Sequence, residues 1–443
     1  MKIILPVNHS QARAELTSPP SGPKPNLLRG GASLNGGHPL NRQVRNSLAI
    51  NFDVSLADAM ERRMPALKWR KHDPDVIPLW IADHDFPPPV EVKEAIKEAL
   101  DAGDVGYSES SEVLQLMAEK VTERNAISTS PTDIYISQGV LPVFWLACKY
   151  ACRPGDEAVV TDPMYYPFFQ TAKATEVKMN YVQLNSEDGY RFDDERLKDA
   201  ITGKTKLIFV CNPHNPTGRV MTKQELKGIA DVAVDHKLTV MTDELWEDVV
   251  FDGRKHISLA SLSPEIADRT ITAFGFSKAF GVAGLQIGYT VVTNREMMRK
   301  VKSIGFRDRK DSEEPALRGT GSLALAAAKV MLSSNVSYYL ERLVAYLQEV
   351  RDLTYKRLRA IGPIAVTPLE GTYLIFPSLK AYGKSSNQMT EYLLKKGRIA
   401  VESGSEFGPA GEGHVRINIG TSKEIISEAL NRMEQALRAL KQG

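Results

Sequence analysis

Short apolar runs alternate with helix-like patterns along most of the chain. Six runs are rich in β-branched and aromatic residues and lead into turn residues, which is typical of buried strands. They are DIYISQG, EAVVTDP, KLIFVCNP, LTVMTDEL, TITAFGF and IGYTVVT. Helical patterns precede or separate them, including VEVKEAIKEALDAG, LPVFWLACKYACRPG and TKQELKGIADVAVDHK. Strands that alternate with helices predict an α/β fold, with a parallel or mixed sheet covered on both faces.

The pattern changes at both ends of this region. Residues 1–48 are rich in Pro, Gly, Ser and Asn, which favours a flexible extension. After about residue 320 the sequence predicts helices and strand-like segments of a smaller α+β domain: helices at 321–333 and 336–360, the strand-like IAVTPLEGTYLIFP, a helix near 387–396, the strand-like GHVRINIG and a final helix. We therefore predict four parts: an extension at 1–48, a segment at 49–90 that contributes to the small domain and the active site, a large domain at 91–320 and a small C-terminal domain at 321–443.

Composition narrows the classes of function. Hydrophobic residues make up 42% of the chain and charged residues 25%, with a formal net charge of +2, as in ordinary globular proteins. The densest basic cluster, Arg307, Arg309 and Lys310, is interrupted by acids, so we expect a solvated loop and no nucleic-acid partner. No apolar run reaches the ~18 residues of a membrane span, and three sparse cysteines argue against disulfides. We expect a cytoplasmic protein without a metal site.

Four places carry candidate chemistry, two of them as loops that follow strands. In SQGVLP, residues 137–142, Gly139 makes a turn before a helix, and free N–H groups at a helix N-terminus suit a phosphate. Alone, this signal is weak. In CNPHNPTGR, residues 211–219, two Asn-Pro steps and a Gly force an irregular loop. Its asparagines either make turn hydrogen bonds or contact a ligand.

The other two places are an acid and a lysine at strand ends. Asp243 ends the apolar run LTVMTD, where it is either a helix N-cap or a carboxylate that faces a buried cation. Lys278 follows a strand within GFSKAFGVAGLQIGY, among small and apolar residues. It is either a surface lysine or a desolvated amine whose lowered pKa makes it a nucleophile toward an aldehyde.

Together these motifs resemble those of the fold-type I enzymes that use pyridoxal 5′-phosphate (PLP), in the same order and at about the same spacing, over roughly residues 50–440. A finer resemblance is to the MalY/PatB-like cystathionine β-lyase (C–S lyase) branch. It rests on NFDVSLADAMERRMPALKW, PLWIADHDFPPP, DVGYSES, NPHNPTGRV, SKAFGVAGLQ and GSEFGPAGEGHVRINIG. The resemblance implies a large PLP-binding domain with a seven-stranded, mostly parallel sheet between helices, and a smaller α+β domain.

The resemblance also implies roles around the cofactor ring. Lys278 would hold PLP as a Schiff base and later shuttle the Cα proton. Asp243 would keep the pyridine nitrogen protonated, which makes the ring an electron sink. Asn215 would donate a hydrogen bond to the ring hydroxyl, and Tyr165 would stack on the ring face.

Further roles concern the phosphate, the substrate and a second subunit. Gly139, Val140 and Leu141 would cup the phosphate together with Ser277. Tyr107 would reach the phosphate of a neighbouring subunit, which implies a homodimer with shared active sites. Arg416 would bind the carboxylate of a small amino-acid substrate as a bidentate pair, beside Ala82 and Asn215.

Three positions depart from the pattern common in fold-type I enzymes. Gly275 stands where Ser or Thr is frequent, and Gln286 stands where an Arg often contacts the phosphate. Trp246 replaces a frequent Tyr, and an indole donates a hydrogen bond but cannot accept one. Whether Trp246 points toward the ring or into the core stays open. The loop at 305–321 either shapes the pocket or is a surface loop.

The motifs define the opening chemistry but not its outcome. Loss of the Cα proton can lead to β-elimination, which releases a Cβ leaving group, or to transamination. The branch resemblance favours a β-lyase. The alternatives are an aminotransferase, an unusual PLP-dependent biosynthetic reaction, and a PLP-binding regulator. The last is disfavoured because residues 1–48 hold no recognition helix.

Overall fold

The computed structural model describes residues 51–63, 66–305 and 320–442. The strands of this part are β1 (Ile77–Pro78), β2 (Ile134–Ser137), β3 (Glu157–Asp162), β4 (Lys178–Gln183), β5 (Thr205–Cys211), β6 (Thr239–Asp243), β7 (Thr270–Gly275), β8 (Gly288–Val291), β9 (Leu374–Ile375), β10 (Ile399–Ala400), β11 (Glu402–Ser403) and β12 (Val415–Asn418).

The α-helices of the same part occupy most of the segments between the strands. They are α1 (Leu56–Arg63), α2 (Leu67–Arg70), α3 (Val90–Asp101), α4 (Ser111–Asn125), α5 (Leu141–Ala151), α6 (Pro167–Ala174), α7 (Asp194–Asp199), α8 (Lys223–Asp235), α9 (Pro264–Ala267), α10 (Ser277–Phe280), α11 (Arg295–Gly305), α12 (Ser322–Met331), α13 (Ser337–Ile361), α14 (Ser386–Gly397) and α15 (Lys423–Gln442). None of these helices is long and apolar enough to cross a membrane.

Strands β2 to β8 form one sheet in the order β2-β8-β7-β6-β5-β3-β4. The pairs from β7 through β4 are parallel, and β8 runs antiparallel to both β2 and β7. In register, Cys211 of β5 lies beside Asp243 of β6, and Asp243 lies beside Ala273 of β7. The predicted α/β fold with a seven-stranded, mostly parallel sheet is confirmed, and so is a smaller C-terminal part.

Strand β5 shows why the central strands read as continuous apolar runs. Phe209 packs into a core on one face of the sheet with side chains of α5 and α11. Ile208 and Val210 pack into a second core on the other face, with side chains of α7 and α8. Because successive side chains of a strand point to opposite faces, a strand covered on both faces has apolar residues at nearly every position.

Smaller sheets join the two ends of the described chain. β1 pairs with β10 in parallel, so Ile77 lies beside Ile399. β9, β12 and β11 form an antiparallel sheet in which Arg416 of β12 lies opposite Glu402 of β11. The segment that follows β1 is thereby placed beside β12, and both contribute to the site described below.

Two details differ from the sequence prediction. The strand-like IAVTPLEGTYLIFP forms a regular strand only at Leu374–Ile375, because prolines and Gly371 interrupt it and Thr372 adopts a positive φ of 65°. Strand β4 was not among the six predicted runs. It is an edge strand with several exposed side chains, so its apolar signal is weak.

The described residues between 51 and 442 form one compact unit by their contacts. Its division into large and small domains near residue 320 stays a prediction. The predicted extension at 1–48 and most of the loop at 305–321 lie outside the described residues.

Candidate active site

The loops that follow five strands of the large sheet meet at one edge and enclose a cavity of about 380 Å³. Open α/β sheets bind ligands at this edge, beyond the carboxyl ends of their parallel strands. Nine of the residues proposed from the sequence line the cavity: Ala82, Gly139, Val140, Leu141, Tyr165, Asn215, Asp243, Ser277 and Lys278. The structure therefore brings together side chains that are up to 196 positions apart in the sequence.

Lys278 lies in the short helix α10, immediately after β7. Its Nζ donates a hydrogen bond to the backbone carbonyl of Ala82 at 2.6 Å. Burial disfavours the charged ammonium and lowers the pKa of the Lys278 amine to about 8. A much larger fraction of this amine is neutral near pH 7 than of an ordinary lysine, so it is suited to attack an aldehyde.

Asp243 is the last residue of β6 and is only 3% exposed. One of its carboxylate oxygens accepts a hydrogen bond from the backbone N–H of Leu245 at 3.2 Å. Burial raises the pKa of the Asp243 carboxyl to about 7. Among the described residues, no lysine, arginine or histidine forms an ion pair with it. A buried carboxylate of this kind fits a cationic group of a ligand, such as a protonated ring nitrogen.

The loop that carries Asn215 is held by a buried histidine. His214 forms hydrogen bonds with Thr161 at 3.1 Å and with Thr217 at 2.7 Å, so both ring nitrogens are engaged. Burial lowers the pKa of His214 to about 3, and the ring stays neutral at physiological pH. The His214 ring therefore fixes the loop by hydrogen bonds and adds no charge to the cavity.

Arg416 lies in β12 and is 3% exposed. It donates hydrogen bonds to the side-chain oxygen of Asn215 at 3.1 Å and to the backbone carbonyl of Trp80 at 2.9 Å. Its guanidinium also lies 4.8 Å from the ring centre of Phe407. In the described part of the chain no carboxylate pairs with it, and its Nε has no hydrogen-bond partner. Burial lowers the pKa of Arg416, and the nearby carboxylate of Glu402 partly opposes this shift without forming an ion pair. Arg416 does not line the cavity itself, but Asn215, which it contacts, does. A buried guanidinium with no carboxylate in direct contact fits an anionic ligand group such as a carboxylate.

The opposite end of the cavity suits a phosphate. Gly139 has a φ of +81°, which Gly tolerates better than other residues, and this turn leads into α5 at Leu141. The first N–H groups of a helix have no intrahelical acceptor and point toward an anion there. Ser277 and Gln286 line the same cavity and add neutral donors.

The side chain of Trp246 faces the cavity, which decides between the two directions that the sequence left open. It is 2% exposed and lines the cavity, and its ring centre lies 5.8 Å from Lys278 Nζ. The ring of Tyr373 packs against it edge to face at 4.6 Å. Sequence reasoning also missed Leu245, Ala283 and Ile287 as lining residues, although each adjoins a motif that was noted.

Two predicted features lie away from this cavity. Tyr107 is fully exposed and is not among the lining residues. Residues 306–319, which the sequence offered as a candidate pocket loop, lie outside the described residues.

The residues present fit PLP at each of its functional groups. A lysine with a lowered pKa, a buried acid and an aromatic ring at Tyr165 line one cavity, with a helix N-terminus beside them. Lys278 would hold the aldehyde carbon, Asp243 the ring nitrogen, and α5 with Ser277 the phosphate. Arg416 would then bind the carboxylate of an amino-acid substrate.

Comparison with known proteins agrees with this geometry. The model of the aminotransferase class I and II family matches residues 74–433. An aromatic-amino-acid aminotransferase of Thermococcus litoralis is 33% identical over 370 residues, which is 83% of this chain and 92% of that protein. The cystathionine β-lyase PatB of Bacillus subtilis is 30% identical over 391 residues, 86% of this chain and 99% of that protein.

A solved structure of a PLP-containing protein also superposes on this chain. Cystalysin from Treponema denticola, whose crystals contain PLP, superposes with a TM-score of 0.79 at 28% identity, over 86% of this chain and 97% of that one. Aminotransferases and C–S lyases are thus equally close relatives. The chain belongs to the class I and II aminotransferase family of fold-type I proteins and is a PLP-dependent enzyme.

Proposed function

We propose that the enzyme removes the Cα proton of a small amino acid and eliminates a group from Cβ, as a C–S lyase does. The observation that carries the proposal is that Lys278 and Asp243 line one cavity, while Arg416 contacts Asn215, another residue of the cavity lining. This arrangement offers a proton acceptor, an acid for a ring nitrogen and a receptor for a carboxylate.

Each residue has one task in this account. PLP, when bound, supplies a ring that spreads the negative charge left at Cα after proton removal. Asp243 keeps the ring nitrogen protonated, and Tyr165 restrains the ring by contact with its face. Arg416 holds the substrate carboxylate, so that the Cα–H bond is turned toward Lys278. The amine of Lys278 accepts the proton, and its lowered pKa suits that transfer near neutral pH.

The length of the sequence match to the lyase PatB supports elimination. The match to PatB spans 99% of that lyase and 391 residues, whereas the match to the Thermococcus litoralis aminotransferase spans 92% and 370 residues.

Transamination is the second candidate, and sequence identity favours it. The archaeal aminotransferases reach 33–34% identity, compared with 30% for PatB. In that reaction the proton returns to the cofactor carbon instead of a Cβ group leaving. The residues around the cavity serve both outcomes.

A single comparison of conditions separates the two. The enzyme is incubated with L-cystathionine, with and without a 2-oxo acid acceptor, and pyruvate is measured. Elimination predicts pyruvate and ammonia without the acceptor, and none from the Lys278→Ala variant. If the acceptor is instead converted into its amino acid and no pyruvate is released from L-cystathionine, the enzyme is an aminotransferase and the elimination proposal is wrong.

We also propose a homodimer that shares its active sites. The support is the exposed position of Tyr107, with Val105 and Leu100 as further exposed apolar side chains of the same segment. Sedimentation of the PLP-loaded protein measures its mass. A monomer would contradict this part of the proposal, whereas a dimer that Tyr107→Ala weakens would support it.

A further inference from the structure

Four consecutive backbone carbonyls, from Trp80 to Asp83, each accept a hydrogen bond from a distant side chain. The donors are Arg416 to Trp80 at 2.9 Å, Asn418 to Ile81 at 2.7 Å, Lys278 to Ala82 at 2.6 Å, and both Asn418 and Lys68 to Asp83 at 2.7 and 2.9 Å. We call residues 80–83 the carbonyl segment. Backbone groups of irregular segments are usually satisfied by water or by their own neighbours, so this concentration of side-chain donors is unusual.

Two of these donors are the site residues Lys278 and Arg416. The carbonyl segment therefore contacts the residue proposed to bind the cofactor and the residue proposed to bind the substrate carboxylate. Both side chains are therefore hydrogen-bonded to the same short stretch of backbone. The contact with Lys278 is made by its free amine, which gives up this hydrogen when it bonds to an aldehyde. The contact with Arg416 does not depend on that bond, so whatever holds the segment in place also orients Arg416.

Lys68 contacts the segment directly. Its side chain is 1% exposed, and Nζ donates to the carbonyl of Asp83 and to the carboxylate of Asp85, each at 2.9 Å. The other carboxylate oxygen of Asp85 accepts from the indole N–H of Trp69 at 2.9 Å. Lys68 is not among the residues that line the cavity.

The energetics of this pair favour a role in geometry. Desolvation offsets most of the attraction within a buried ion pair, so such pairs add little net stability compared with well-packed apolar residues. They do impose direction, because each charged group satisfies its hydrogen bonds in only one arrangement. The pair is therefore suited to hold the carbonyl segment at one place.

We propose that Lys68 is a positioning residue of the active site. Paired with Asp85, it fixes the carbonyl segment, and the carbonyl of Trp80 then orients Arg416 for the substrate carboxylate. The inference rests on the proposed role of Arg416. Lys68 touches neither cofactor nor substrate, so its loss affects carboxylate binding while the bond between Lys278 and PLP remains.

The test measures amino-acid binding to the PLP-loaded enzyme by absorbance. The probe is 2-aminoisobutyrate, which has an amine and a carboxylate but no Cα proton to lose. Lys68→Met is expected to keep the visible cofactor band and to raise the dissociation constant about tenfold, since small misplacements of a binding group are amplified in this way. The control is Lys329→Met, which breaks an exposed pair with Glu112 and should leave the constant unchanged.

A double-variant comparison shows whether the effect passes through Arg416. In an Arg416→Lys background the orientation given by Trp80 is already lost, so Lys68→Met should then raise the constant less than about twofold. A general loss of stability would weaken binding equally in both backgrounds. Equal effects in the two backgrounds, or an unchanged constant in the single variant, would overturn the proposal.

A milder variant covers the case in which Lys68→Met does not fold. Trp69→Phe keeps an aromatic ring but removes the N–H that orients Asp85. It should weaken 2-aminoisobutyrate binding in the same direction by a smaller factor, and wild-type binding in this variant would refute the inference. Failure of the proposed elimination would look different, because the wild-type enzyme would then still bind 2-aminoisobutyrate but would release no pyruvate from L-cystathionine.

Discussion

Arg416 donates a hydrogen bond to the side-chain oxygen of Asn215 at 3.1 Å, across 201 positions of sequence. The contact joins β12 of the C-terminal part to the loop that follows β5 in the large sheet. It leaves the guanidinium buried without a carboxylate partner among the described residues. A desolvated cation is unfavourable unless an anion binds beside it. In the proposed reaction that anion is the substrate carboxylate.

Replacement of Arg416 by Ala should therefore weaken amino-acid binding far more than it affects the cofactor. A buried bidentate pair to a carboxylate contributes enough for an increase of about 10²-fold in the dissociation constant. The constant is measured from the absorbance change with 2-aminoisobutyrate. Arg432→Ala removes a partly exposed arginine that pairs with Glu428 and serves as the matched control. An unchanged constant in Arg416→Ala would show that the carboxylate binds elsewhere.

The carboxylate of Asp243 is expected to act on turnover. Asp243→Asn preserves the size of the side chain but removes the negative charge that would keep the ring nitrogen protonated. Turnover should fall about 10²–10³-fold, the usual effect of losing one preorganised charge in a reaction that develops opposite charge. Steady-state rates with the substrate found in the pyruvate assay provide the measurement.

A second acid provides the control for that variant. Asp162 is also buried at a strand end, but it accepts hydrogen bonds from the backbone N–H of Ala410 and does not line the cavity. Asp162→Asn should change turnover less than about fivefold. If both variants lose activity alike, the effect is structural and the role given to Asp243 is wrong.

The lowered pKa of Lys278 predicts the pH dependence of cofactor capture. Only the neutral amine attacks an aldehyde, and a pKa of about 8 leaves about a tenth of it neutral at pH 7. The rate at which cofactor-free enzyme takes up PLP should rise with pH and level off above about pH 8. Stopped-flow absorbance measures it, with N-acetyl-lysine amide as the free-lysine reference, whose rate keeps rising to about pH 10. A protein rate that follows the reference would mean that Lys278 is solvated.

A stability prediction concerns the loop that carries Asn215. Gly218 has a φ of +69°, and a Cβ there would lie 1.9 Å from Leu369 Cδ1 and 3.0 Å from the carbonyl of Gly371. Gly218→Ala should lower the free energy of unfolding by about 2–4 kcal/mol, from left-handed strain and overpacking together. Gly103 has a similar φ of +74° but no atom near its Cβ position. Gly103→Ala should therefore lose only the strain, about 1–2 kcal/mol, and equal losses in denaturant titrations would contradict the steric part.

Where chemistry follows a strand, the sequence was enough to predict which candidate residues lie close together. Asp243 and Lys278 come at or just after β6 and β7, and the carboxyl ends of neighbouring parallel strands meet at one edge. Alternation of apolar runs with helical patterns was enough to infer this arrangement. The edge strand β4 was not predicted, because a strand with exposed side chains does not form a continuous apolar run in the sequence.

Features that depend on tertiary packing could not be inferred. The inward direction of Trp246 results from its packing against Tyr373, which is distant in sequence. Nothing in the residues around Lys68 indicates its burial, which depends on where Asp85 lies in the fold. No local pattern records that the carbonyl of Ala82 accepts a hydrogen bond from Lys278.

The proposed chemistry depends most directly on the amine of Lys278. The measurement is the visible absorbance of the purified, PLP-loaded protein before and after borohydride, followed by mapping of the labelled peptide. A Schiff base on Lys278 predicts a band that borohydride abolishes in the wild type, with the reduced cofactor attached to Lys278, and no such band in Lys278→Ala. A reducible band that persists in Lys278→Ala, or a label on another lysine, would contradict it.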